Sequence, residues 1–69
     1  MKQVGIMEAY QAYKRGETVE IRPEGKAPRK TDETRRFLEN PQIPRGVNFR
    51  HYVWHFQFFT DRKPVFYID

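Results

Sequence analysis

The chain predicts a small α+β domain in the order α-β-α-β-β, with an antiparallel sheet built on a C-terminal β-hairpin and two short helices packed on it. Three observations carry that prediction. Apolar residues recur at helical spacing near the N-terminus, and two segments rich in aromatic and β-branched residues flank a turn signal near the C-terminus. The length is 69 residues without a cysteine, which leaves room for one domain, 1–69, and excludes a disulfide framework or a thiolate metal site. A charged fraction of 32% and a mean hydropathy of −0.93 would suit a disordered chain, but 16% aromatic residues argue for a packed core.

Each element has its own local warrant. From Val4 to Arg15, Ile6, Ala9, Tyr10 and Tyr13 share one helical face, and Gly16 stands where a left-handed cap residue is wanted. Thr18 to Arg22 alternates, with Val19 and Ile21 inward, until Pro23 stops the strand. Residues 23–30 form an exposed basic Pro/Gly loop. Thr31 is the expected N-cap of a helix over 32–39, with Asp32 and Glu33 at the positive end of its dipole and Phe37 and Leu38 as anchors. Residues 41–46 are a Pro-bounded connector. Val47 to Phe59 then reads as a strand, with Tyr52, Trp54, Phe56 and Phe58 on the core face. Phe49, His51, Val53, His55 and Gln57 take its other face. A four-residue turn over 60–63 leads to a closing strand from Pro64 to Asp69, in a register that sets Phe58 opposite Val65 and Phe56 opposite Tyr67.

Charge is regional. Residues 1–21 and 51–69 each sum to zero, whereas 22–50 hold eight basic and four acidic residues and so carry the whole +4. Lys26, Arg29, Lys30, Arg35, Arg36, Arg45 and Arg50 are the candidate nucleic-acid-binding residues, since a localised basic stretch concentrates anionic partners. Thr34-Arg35-Arg36-Phe37-Leu38, followed by Ile43-Pro44 and the expected two-stranded wing, resembles the excisionase type of winged helix over about half the chain. The strand at 18–22 departs from that pattern by interrupting its first helix pair.

The expected function is non-enzymatic: a small basic protein that engages DNA, RNA or a nucleoprotein complex through 22–50, in the style of phage or mobile-element accessory and regulatory proteins. The alternative is a protein-interaction module, an inhibitor or adaptor of a larger host protein or a homodimer, docking through Phe49, His51, Val53, His55 and Phe66. A small ribonuclease using His51 or His55 is the enzymatic alternative. On a strand those histidines would lie roughly 13 Å apart, too far to share an ion, so neither a metal nor another cofactor is expected. With no apolar run long enough for a bilayer and no secretory leader, the expected place is the cytoplasm, with no membrane partner.

Overall fold

The computed structural model describes residues 1–28 and 31–69, so Arg29 and Lys30 lie outside the described residues. The backbone runs through β1 (Lys2–Val4), α1 (Ile6–Lys14), β2 (Val19–Pro23), α2 (Asp32–Glu39), α3 (Phe49–Thr60) and β3 (Pro64–Ile68). Among the described residues this is an α+β fold of three helices and one three-stranded antiparallel sheet, ordered β1-β3-β2.

Helix α2 falls where the sequence predicts it; α1 starts later, at Ile6, because Val4 is taken by β1, and β2 runs one residue further, through Pro23, which pairs with Pro64 at the end of the ladder. Helix α1 ends in a Schellman motif: the Glu17 amide donates to the Ala12 carbonyl at 3.0 Å and the Gly16 amide to that of Tyr13 at 3.1 Å, with Gly16 at φ +91°. Its core face differs from expectation, because Ala9 and Ala12 are the buried residues while Ile6 and Tyr10 are exposed. Small side chains let the helix axis approach the sheet closely. At α2 the Thr31 hydroxyl accepts from the Thr34 amide at 3.2 Å, as predicted. Phe37 packs inward and Leu38 does not.

The segment 47–59 is the main correction, since it forms helix α3 and there is no C-terminal hairpin. A dense aromatic run satisfies period 2 and period 3.6 together: 52, 54, 56 and 58 alternate, while Phe49, Val53, Phe56 and Thr60 fall at i, i+4, i+7 and i+11 and are the buried set. Asn48 caps the helix, its Oδ1 accepting from the His51 amide at 2.9 Å, and Asp61 closes it in the left-handed region at φ +57°. As a strand, this segment would have left a second apolar sheet face uncovered. Coiling it removes that surplus and supplies the cover for the remaining sheet. The winged-helix likeness ends here too, because α3 occupies the place of the wing.

Strand β3 pairs instead with two distant strands, Val4 and Ile21 both lying opposite Phe66. Strand β1, unforeseen in the sequence, takes the other edge of β3. The connector lines the outer edge of β2: the Ile21 amide donates to the Pro41 carbonyl at 2.7 Å and the Ile43 amide to that of Val19 at 3.0 Å. Val19, Ile21, Phe66 and Ile68 form the inner sheet face and meet Ala9, Ala12, Phe49, Val53 and Phe56 from α1 and α3. The opposite face carries Gln3, Glu20, Arg22, Val65 and Tyr67, none of them buried.

Candidate functional site

The Tyr13 side chain, half-buried on α1, fixes the connector that leads into α3. Its hydroxyl lies 2.9 Å from the carbonyl oxygens of both Pro44 and Val47, which share its one proton, and accepts from the Val47 amide at 3.2 Å. Gly46, at φ +81°, gives the turn that brings Arg45 back toward α1. A groove of about 450 Å³ results, lined by Tyr10, Tyr13 and Lys14 from α1 and by residues 45–50. Lys14, Arg45 and Arg50 are all exposed there, and no acidic side chain lines the groove. The Lys14 ammonium sits 5.4 Å from the Tyr10 ring centroid, a cation–π contact that leaves its charge at the groove wall. Among the described residues, none of the three engages in an ion pair of the kind formed by Lys2, Arg15 and Arg22 with Glu8, Glu17 and Glu20. The groove also opens at the N-terminal end of α3, where the positive end of the helix dipole favours an anion.

The other predicted cations do not converge on this groove. Arg36 lines a separate depression with Glu33 and Glu39, whose carboxylates offset its charge. Arg35 is exposed on α2 and Lys26 is exposed in the loop. The sequence alone does not single out Lys14, because it belongs to an N-terminal segment of zero net charge and reads there as a helix-terminal cation. The one signal available is Tyr10, four residues before it on the same helical face.

The five residues assigned to a partner surface are split between two environments. Phe49, Val53 and Phe66 are core, with the Phe49 and Phe66 rings stacked at 5.8 Å. His51 is exposed and His55 half-buried on the outward side of α3. Trp54 and Phe58, expected inside, join the histidines there at 59% and 63% exposure, their rings stacked at 5.7 Å. The helix also changes the histidine geometry: the two ring centroids lie 4.6 Å apart. Phe37, Tyr52 and Phe59 fill the seam between α2 and α3, and burial there raises the Tyr52 phenol above its usual value of 10.0.

Among the described residues, no group of three or more His, Cys, Asp or Glu side chains gathers as a metal cluster, and no helix is long and apolar enough to cross a membrane. A cleft of about 700 Å³ between β1, the end of β2 and α3 is open and mixes Glu24, Lys63 and glutamines without a convergent set. Comparison of the chain with protein-family models, curated proteins and solved structures returned no match.

Proposed function

We propose that this protein is a non-enzymatic binding protein that holds the phosphate backbone of DNA or RNA, free or within a nucleoprotein complex, in the groove formed by Lys14, Arg45 and Arg50. The observation that supports it is three exposed cations converging from two segments around a helix N-terminus with no acidic residue among them. Arg45 and Arg50 carry over from the basic 22–50 region, and Lys14 extends it across α1.

Three phosphate contacts imply an affinity that falls about 20- to 40-fold between about 50 and 200 mM salt. Fluorescence anisotropy with labelled single-stranded and duplex oligonucleotides measures this. The double variant Arg45→Ala, Arg50→Ala is expected to reduce the salt slope by roughly two units, and Arg36→Ala by less than one. No binding at low salt, or an unchanged slope in the double variant, overturns the proposal.

A second reading, a protein-interaction module, has its own observation in the outward face of α3. Two large aromatic rings more than half exposed are what a binding surface leaves open. Capture of a stoichiometric protein partner by the wild type, lost on Trp54→Ala, supports that reading, and capture unaffected by Trp54→Ala counts against it.

A further inference from the structure

We propose that His51 and His55 form half of a zinc-type divalent metal site, which a second copy of this chain completes with its own pair, joining two α3 helices across their outward faces. Residues at i and i+4 share a helix face, and two histidines at that spacing are how helices commonly present imidazoles to one zinc ion. The 4.6 Å between ring centroids brings both imidazoles to one place. Their flanks hold them there: His55 meets the Trp54 ring edge-on at 5.2 Å and stacks on Phe59 at 6.0 Å.

Zinc takes four ligands in a tetrahedron, and the chain offers two. Since no third ligand side chain gathers among the described residues, the remaining positions fall to another molecule. A second copy fits for three reasons. A two-fold axis through the ion doubles the pair without any new residue type. Arg50, at the N-terminal end, is the one charged residue of α3, and a two-fold axis that runs the helices antiparallel sets its two copies at opposite ends, so the 51–60 faces meet with little like-charge repulsion although the chain carries +4. Trp54 and Phe58 lie on the same outward arc and come together as the helices approach.

Area decides how much the metal must contribute. With 59% and 63% of their surfaces open, the two rings offer roughly 250 Å² per copy, well short of the about 800 Å² per partner of a stable interface. The metal-free chain is therefore a monomer at micromolar concentration, and zinc closes the dimer.

The inference rests on the interaction reading of α3 and names its partner and its ligand. Sedimentation of the full chain with zinc chloride tests it, alongside calorimetric titration and cobalt substitution. The expected result is a doubling of mass at one zinc per two chains, reversal by a chelator, and the visible spectrum of tetrahedral cobalt. His51→Ala, which alters an exposed side chain, abolishes the dimer while the far-ultraviolet dichroism stays native. Trp54→Ala weakens zinc-driven dimerisation at least tenfold. No zinc binding at about 100 μM, one zinc per chain without a change in mass, or a dimer indifferent to His51→Ala each overturns the proposal. Partner capture that is sensitive to Trp54→Ala but independent of zinc removes the metal site and leaves the interaction reading standing. The salt slope of nucleic-acid binding is unaffected by the histidine variants.

Discussion

Thr34 has no exposed surface, and its hydroxyl donates to the Phe59 carbonyl at 2.5 Å, tying the first turn of α2 to the end of α3. Thr34→Val keeps the shape and removes the donor, leaving a carbonyl without its partner. The expected loss is about 1–2 kcal/mol, seen as a fall in Tm of several degrees in calorimetry. Sequence alone read Thr31 correctly, because capping is decided within three residues, but nothing local distinguishes Thr34 from a solvent-facing threonine. Burial alters the protonation of Tyr52. Its folded pKa is raised, so the stability it contributes is complete below the unfolded value near 10.0 and is lost as pH rises through the folded value. Thermal melts from about pH 9 to 11 should show that alkaline decline, with Tyr52→Phe flattening it.

At the scale of the element, α3 makes the sharpest contrast with a strand. On a strand Trp54 and Phe56 share a face, and alanine at either position would cost the core alike. On the helix Phe56 is fully buried against Phe37 while Trp54 is 59% exposed. Phe56→Ala is expected to cost about 3–5 kcal/mol, comparable to the net stability of a domain this small, and to leave the chain largely unfolded. Trp54→Ala is expected to stay within about 0.5 kcal/mol of the wild type in denaturant titration. Equal destabilisation by the two variants would contradict the helix.

The whole molecule depends on β3, which reaches both sheet partners across most of the chain length. Val4 and Ile21 both lie opposite Phe66, so β1 and β2 are joined in the sheet through β3. Removing residues 1–4 bares the edge of β3. The truncated chain is expected to melt at lower temperature and to associate with rising concentration, measured by light scattering. The basic groove is a property at this scale as well, because Lys14 and Arg45 are brought together by the Tyr13 hydroxyl and not by proximity in the chain.

The sequence by itself determined what short-range chemistry can determine: the C-terminal end of α1, both ends of α2, the alternation of β2, the absence of a cysteine staple and the regional placement of charge. Capping hydrogen bonds, left-handed glycine and side-chain alternation all act within a few residues, so no distant partner was needed to read them. Tertiary structure alone decided the period of 49–60, the partners of β3 and the surface on which Trp54, Phe58 and the two histidines lie. An aromatic run carries the helical and the strand period at once, and the period realised is the one whose apolar face finds a cover. Here the cover is the sheet closed by β1, which contributes only three residues, Lys2–Val4. The same choice turned the histidines from separate strand residues into neighbours and exposed the aromatics expected in the core.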